Sequence, residues 1–145
     1  MWKKYVSSLS KKFDFSDPTD NFEVEKTENK LKLVFPKELS ELLSETNGLH
    51  DSSSYSDIVW SIENIQRTNS EFRENRDFRE LYMPFDSLLF FGDSGNGDQF
   101  AFRILANKIR TSDIYVWNHE DDSRVWIAPS LKIFLEWWLT GKIKI

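Results

Sequence analysis

Two apolar segments joined by a glycine-containing loop constrain the fold of this chain most strongly. Leu88–Phe91 is apolar throughout, as is typical of a strand buried on both faces. Gln99–Ile104 alternates between apolar and other positions, as is typical of a half-buried strand. The loop between them holds three glycines, which accept the positive φ angles of a tight reversal, among small polar residues that bond their own backbone. The sequence therefore predicts an antiparallel hairpin around which the other elements pack.

Four segments carry the apolar periodicity of helices that bury one face. The first begins near Trp2, and its stripe extends to Phe13. The second opens at Pro36 and ends at Asn47-Gly48, and Ser61 is predicted to cap the third. The predicted buried stripes are Trp2, Tyr5, Val6, Leu9 and Phe13; Leu39, Leu42, Leu43 and Thr46; Ile62, Ile65, Asn69 and Phe72; and Leu131, Phe134, Leu135 and Trp138.

Three further apolar runs are predicted to be strands. Ile58–Trp60 is a short candidate, and Ile114–Trp117 pairs naturally with Val125–Ile127 across an acidic turn at 118–124. Because aromatic rings gain much from burial, we expect three tryptophans to pack on the sheet. They are Trp60, Trp117 and Trp126.

Other segments are less clearly patterned. Phe22–Lys26 and Leu31–Phe35 alternate like the strands of a hairpin, which the local pattern slightly favours. Asp20 followed three residues later by Glu23 is instead a helix-capping pattern. His50 is predicted to lie in a loop, and the mixed-charge run Glu71–Glu80 is predicted to be a solvated helix face that gives way to a loop.

Length and composition narrow the class of protein. The 145 residues fit a single domain, 1–145, and the absence of cysteine excludes disulfides and thiolate metal sites. The N-terminus lacks a signal-peptide apolar segment and no run is long enough to span a membrane, so we expect a cytoplasmic protein. A net charge of −5 disfavours nucleic acid and anionic membrane and favours a basic protein as partner.

The loop sequence invites two catalytic interpretations, and both are weak. Gly92–Gly95 resembles the sequence around the nucleophile of chymotrypsin-like serine proteases, but His50 and His119 are the only histidines and the chain is too short for two barrels. Gly95-Asn96-Gly97 fits neither the dinucleotide fingerprint nor the P-loop. We therefore predict that the chain is not an enzyme and uses no cofactor.

A metal site is a further alternative. The hairpin turns at 93–98 and 118–123 would offer hard oxygen ligands to calcium or magnesium if they met at one edge of a sheet. The spacing misses the EF-hand pattern, and acidic turns are usually only solvated. The side chains concerned are Asp93, Asp98, His119, Glu120, Asp121 and Asp122.

Several motifs occur together and in order. They are Phe35-Pro36-Lys37-Glu38-Leu39 followed by Asn47-Gly48; Trp60-Ser61-Ile62-Glu63-Asn64-Ile65; Leu89-Phe90-Phe91-Gly92 with Gly95-Asn96-Gly97-Asp98 and Phe100-Ala101-Phe102; Ile114-Tyr115-Val116-Trp117 with His119-Glu120-Asp121; and Ser130-Leu131 with Phe134-Leu135. Over residues 20–139 this set resembles the SUKH superfamily, which includes the fungal Smi/Knr cell-wall regulators and many bacterial immunity proteins. Phe35 stands where the family usually has leucine.

The resemblance implies a fold and a role. It implies an α+β fold, a mostly antiparallel twisted sheet with helices packed against it, and a helix rather than a hairpin over Asp20–Leu31. It also implies an immunity protein that neutralises a cognate toxin, frequently a basic nuclease, with the protein itself a monomer or weak dimer. The alternative is a regulatory interaction module like the fungal relatives. The predicted partner-binding residues are Asp93, Asp98, Trp117, His119, Glu120, Asp121 and Asp122. If the motif residues serve as the scaffold instead, the interface is expected in variable stretches such as His50–Asp57 or Glu71–Glu80.

Overall fold

A computed structural model describes residues 1–54 and 56–144 and shows helices packed on antiparallel strands. The helices are α1 (Trp2–Leu9), α2 (Asn21–Leu31), α3 (Lys37–Glu45), α4 (Ile62–Glu74), α5 (Arg76–Leu81) and α6 (Leu131–Leu139), with a 3₁₀ turn at Phe85–Ser87. The strands are β1 (Phe13–Phe15), β2 (Leu49–Asp51), β3 (Ser56–Val59), β4 (Leu88–Asp93), β5 (Gln99–Arg103), β6 (Ile114–Trp117) and β7 (Arg124–Ala128). The predicted α+β class is confirmed.

The strands form two antiparallel sheets where one was expected. The smaller has the order β1-β2-β3 and the larger the order β4-β5-β6-β7, with the predicted central hairpin as β4–β5. The sheets adjoin where the backbone N–H of Trp60 donates to the Phe91 carbonyl at 2.7 Å. No helix among residues 1–54 and 56–144 has the length and apolar character needed to cross a membrane.

Two aromatic clusters cover opposite faces of the larger sheet. Adjacent residues of β4 enter different clusters, Phe90 one and Phe91 the other, because successive strand side chains point to opposite faces. The cluster on the α4 side consists of Phe72, Phe78, Tyr82, Phe85, Phe90 and Trp117. The cluster on the α6 side consists of Phe91, Phe100, Phe102, Phe134 and Trp138.

Two residues fix β4 against its neighbours. A Cβ on Gly92 would lie 1.9 Å from the carbonyl oxygen of Ile58, so only glycine permits β3 to approach β4 this closely. From α4, the buried amide of Asn69 donates to the Phe90 carbonyl and accepts from the Phe90 N–H, both at 2.8 Å. The predicted burial of Asn69 is thus confirmed.

The segment after Asp20 is helical, so the local hairpin interpretation is wrong and the helix implied by the family resemblance is confirmed. The side chain of Asp20 caps α2 by accepting from the N–H of Phe22 at 2.9 Å. Lys32, with a φ of 55°, ends the helix in the left-handed conformation. The alternation was misleading because α2 is half exposed and buries only three residues, Val24, Thr27 and Leu31.

Four other local predictions are wrong. Helix α1 stops at Leu9, and Phe13 begins a strand. His50 lies in β2, paired with Asp14 of β1, and not in a loop. The charged run continues as α5 after α4 instead of becoming a loop. Trp126 is 47% exposed on the edge strand β7, whereas Trp60 and Trp117 are buried as predicted.

Candidate functional site

Three hairpin turns meet at one end of the sheets. Consecutive antiparallel strands place the β2–β3, β4–β5 and β6–β7 turns on the same side. A Cβ on Gly95 would lie 3.2 Å from the Cβ of Ser56, and one on Gly97 would lie 2.8 Å from the His119 ring. We call residues 51–57, 93–98 and 118–123 together the turn edge; Tyr55 within it is outside the described residues.

The turn edge is strongly acidic. Its three segments contain no lysine or arginine and hold seven of the chain's 24 acidic residues, which are Asp51, Asp57, Asp93, Asp98, Glu120, Asp121 and Asp122. The sequence predicted two of the three segments as acidic hairpin turns, and it named the third only as part of the alternative interface His50–Asp57. The signal for a turn there was the Asp-Ser-Ser-Ser run at 51–54.

Asp93 joins the turn edge to the helical side of the fold. Its carboxylate accepts a hydrogen bond from the indole N–H of Trp60 at 2.6 Å and another from the N–H of Gly95 at 2.9 Å. Burial raises the pKa of Asp93, although the bond from Trp60 opposes that shift. The two bonds hold the start of the glycine loop in one conformation.

Asp98 and His119 connect the second and third turns. Asp98 is only 5% exposed, and its Oδ1 lies 2.7 Å from the Nδ1 of His119 and accepts from the His119 N–H at 3.2 Å. The imidazole itself is partly exposed. A buried carboxylate that bonds both the ring and the backbone of one residue fixes where that residue's ring points.

Asp122 anchors the third turn to the sheet and to the segment after α5. Its carboxylate accepts from the indole N–H of Trp117 at 2.7 Å, from the N–H of Met83 at 2.9 Å and from the Arg124 guanidinium at 3.0 Å. Burial raises its pKa, but these bonds outweigh that effect, so the pKa of Asp122 is lowered. The Arg124 guanidinium lies 4.9 Å from the centre of the Phe85 ring.

Glu120 and Asp121 project from the tip of this turn, and both are exposed. Asp121 accepts from the N–H and hydroxyl of Ser123, and these bonds lower its pKa. Of the predicted partner-binding residues, Glu120 and Asp121 therefore expose their carboxylates to solvent. The buried Trp117 and Asp98 instead hold the turns in shape.

His50 and Asp57, the two ends of the alternative interface stretch, face each other across β2 and β3. The Nδ1 of His50 lies 2.6 Å from the Oδ1 of Asp57, with the imidazole 45% exposed. This hydrogen bond raises the pKa of His50. Their pairing depends on β2, which the sequence pattern did not reveal.

The turn edge does not assemble the catalytic or metal-binding arrangements considered above. The hydroxyl of Ser94 bonds Asn96 and the Asp98 carbonyl, so its described partners include no histidine. Within residues 1–54 and 56–144, no group of three or more histidine and carboxylate side chains is placed to hold a metal ion. The arrangement can present negative charge on a fixed backbone.

The comparisons with known proteins agree with this architecture. The SUKH_6 family model, described as SMI1-KNR4 cell-wall, matches residues 21–135. This span runs from the start of α2 into α6 and includes all three segments of the turn edge. No curated protein matches the chain. Since the matched span covers most of the sequence, the chain belongs to the SUKH family, in the group described as SMI1-KNR4 cell-wall.

Proposed function

We propose that this SUKH protein is a cytoplasmic immunity protein whose turn edge binds a cognate toxin domain and covers its active site. Family membership supports an immunity or protein-interaction role. SUKH proteins are generally non-catalytic, in line with an inhibitor that acts by occlusion. The toxin we propose is a nuclease, which must itself carry basic residues to hold phosphate groups.

The concentration of acidic residues on the turn edge is the observation that carries this proposal. Seven carboxylates on three adjacent turns, of which Asp122 is paired with Arg124, create a negative field that speeds the approach of a basic cleft and orients it. The turns are already held by side-chain bonds, including Asp93 to Trp60 and Asp98 to His119. Less conformational entropy is then lost on binding than with free loops.

The predicted partner-binding residues divide between two roles in this proposal. Glu120 and Asp121 contact the toxin directly because both side chains are exposed. The remaining five act mainly by fixing the turns, with the partly exposed Asp93 and His119 also able to reach a partner. These five are Asp93, Asp98, Trp117, His119 and Asp122.

Co-expression with the toxin domain encoded beside its gene tests the proposal. The unchanged chain, itself a monomer or weak dimer, should protect cells and form a complex with the toxin domain that survives gel filtration. Glu120→Lys with Asp121→Lys should weaken the complex at least about a hundredfold, since it replaces two attractions by two repulsions. No protection by the unchanged chain, or no complex, would refute the proposal.

A matched control separates local contact from overall charge. Asp17→Lys with Glu74→Lys makes the same change in net charge at exposed positions away from the turn edge. This variant should retain protection and nearly the original affinity. Equal losses in both double variants would show that the toxin responds to total charge and not to the turn edge.

The regulatory interaction module remains the second candidate, and the cell-wall description of the matching family model favours it. Such a module would bind several partners at modest affinity, whereas an immunity protein binds one toxin tightly. Affinity capture from its own cells distinguishes them. Recovery of many partners in similar amounts, each competing for the turn edge, would favour regulation.

A further inference from the structure

A groove lies at the end of the sheets opposite the turn edge. It is bordered by residues 32–37, which connect α2 to α3, and by residues 105–110, in the connection between β5 and β6. Strand β5 starts at the turn edge and runs away from it, so its far end carries the 105–110 segment away from the acidic turns. The groove has a volume of about 990 Å³ and is open to solvent.

The borders of the groove are positively charged, in contrast to the turn edge. Residues 32–37 and 105–110 together contain four basic residues and no acidic one, although the whole chain carries a net charge of −5. The four are Lys32, Lys37, Lys108 and Arg110. The Arg110 side chain folds back on its own turn, donating to the Leu105 carbonyl at 3.2 Å. The three lysines are exposed and line the groove, and the Nζ of Lys37 also lies 3.7 Å from a carboxylate oxygen of Glu41, one turn along α3.

Acidic residues on α2 do not cancel this charge completely. Glu25 and Glu28 also line the groove, but Glu28 already accepts from the N–H of Phe35 at 2.7 Å. Pro36, the N-cap of α3, makes no side-chain hydrogen bond to the first turn of that helix. The N-terminal dipole of α3 therefore adds to the preference for a carboxylate beside Lys37.

The groove also presents apolar surface. Leu33 and Phe35 are buried in the core, while Val34 between them is 79% exposed beside the partly buried Ile109. Exposed apolar surface bordered by lysines suits a segment that carries apolar and acidic side chains together. An acidic segment of a partner is favoured over a membrane, because a net charge of −5 repels anionic lipid.

We propose that this groove is a second protein-binding site, which takes an extended segment of a partner chain bearing carboxylates beside an apolar anchor. Lys32, Lys37 and Lys108 bind the carboxylates, and Val34 with Ile109 contacts the apolar side chain. The site is separate from the turn edge, so one molecule can hold a basic partner at one end and an acidic segment at the other.

Binding of a labelled synthetic peptide of glutamate and leucine to the full chain tests this site. The same peptide with lysine in place of glutamate is the opposite-charge probe. The acidic peptide should bind, weaken as salt is raised, and shift the backbone amide signals of residues 32–37 and 105–110 in NMR spectra. The lysine peptide should leave those signals unmoved, whatever it does at the acidic turn edge. Equal shifts of residues 32–37 and 105–110 by the two peptides, or shifts by the acidic peptide confined to other residues, would overturn the proposal.

Variants with matched controls locate the contacts. Lys32→Glu with Lys108→Glu should lower affinity for the acidic peptide at least about tenfold. Val34→Asp should lower it as well without unfolding the chain, because Val34 is exposed. Lys4→Glu with Lys142→Glu, at exposed positions elsewhere, makes the same charge change and should leave affinity nearly unaltered. An equal loss in that control would refute a local site.

A second copy of the chain is the competing occupant, since its turn edge is acidic. Sedimentation at rising concentration distinguishes the two. Self-association that Lys32→Glu with Lys108→Glu abolishes would overturn the peptide proposal, whereas an unassociated chain that binds the peptide supports it. Protection against the toxin should survive the groove variants, so failure at this site is distinguishable from failure of the turn edge.

Discussion

The strands and the loop of the β4–β5 hairpin belong to one continuous segment but are stabilised by different interactions. The strands bury Phe90, Phe91, Phe100 and Phe102 completely, in aromatic clusters on both faces of the sheet. The loop between them buries little apolar surface and is held by hydrogen bonds that its side-chain oxygens accept from backbone N–H groups, within the loop and from the neighbouring turn. Packing therefore accounts for most of the stability near this hairpin, and polar bonds determine the shape of its surface.

This difference separates substitutions that unfold the protein from substitutions that change what it binds. Changes in the strands should lower the free energy of unfolding greatly. Changes at the exposed tip of the turn edge should alter partner affinity with little effect on folding. Five substitutions, from the largest expected loss of stability to the smallest, examine this separation.

Gly92→Ala should cause the largest loss in the free energy of unfolding. Its Cβ would lie 1.9 Å from the Ile58 carbonyl oxygen, so β3 must move away from β4, at a cost of at least about 3 kcal/mol. Urea unfolding measures the change. Gly141→Ala is the control, because Gly141 has a φ of 80° but nothing within 4 Å, and should cost only about 1 kcal/mol. Equal losses would show that close strand approach contributes nothing.

Asn69→Leu should destabilise the fold by about 2 to 3 kcal/mol, since it leaves the N–H and carbonyl of Phe90 buried without the amide that bonds them. Asn29→Leu, on the exposed face of α2, should change the free energy of unfolding by under about 0.5 kcal/mol. Urea unfolding of both variants tests this. An unchanged midpoint for Asn69→Leu would mean that Phe90 needs no partner from α4.

Asp122→Ala should cost about 2 kcal/mol, because the N–H groups of Trp117 and Met83 and the guanidinium of Arg124 all lose an acceptor. The pKa of Asp122 is lowered in the folded state, so its stabilisation is present above the unfolded pKa of about 3.9 and is lost as the pH falls further. Unfolding measured from pH 6 to pH 3 should show the two proteins converging at the acidic end. If the free energies of unfolding of the two proteins differed by the same amount at every pH, the lowered pKa of Asp122 would be contradicted.

Asp57→Asn should have a small effect on stability and a clear effect on titration. The hydrogen bond that His50 donates to Asp57 raises the pKa of His50 above its usual 6.5. The stability that this bond adds is therefore present below that value and is lost as the pH rises through the folded pKa. The exposed pair contributes under about 1 kcal/mol. NMR titration of the His50 ring should show a lower pKa in the variant. No change would mean that the pair is absent in solution.

Glu120→Lys with Asp121→Lys should have the least effect on folding. Both side chains are exposed, and the anchors of this turn, Asp98 and Asp122, remain in place. The urea midpoint should stay close to that of the unchanged chain, although toxin binding is lost. A large fall in the midpoint would show that the tip of the turn edge contributes to stability as the strands do.

Much of the architecture followed from local sequence patterns. The central hairpin, helices α3, α4 and α6, and the β6–β7 pair were predicted, because each buries a continuous apolar face that sequence periodicity displays directly. Strands β1 and β2 were not predicted. Each has three residues, too few to show a period, and each exists because the other pairs with it. Helix α2 was ambiguous because its buried stripe is narrow.

The candidate site shows the same division between local and distant information. The sequence indicated acidic turns on either side of β5–β6, but it could not distinguish the exposed Glu120 from the buried Asp98. That difference arises because Asp98 meets His119 from the next hairpin. The positive charge of the groove could not be predicted from the sequence either, since its lysines come from segments far apart in sequence.

By itself, then, the sequence determined the apolar periodicity, the acidic balance and the family to which the chain belongs. Only the tertiary structure decided which carboxylates are engaged internally, which face solvent, and that basic and acidic residues gather at opposite ends. The physical reason is that periodicity and propensity act over a few neighbouring residues. Hydrogen-bond partners and surface charge are instead assembled from residues that meet only after the sheets have formed.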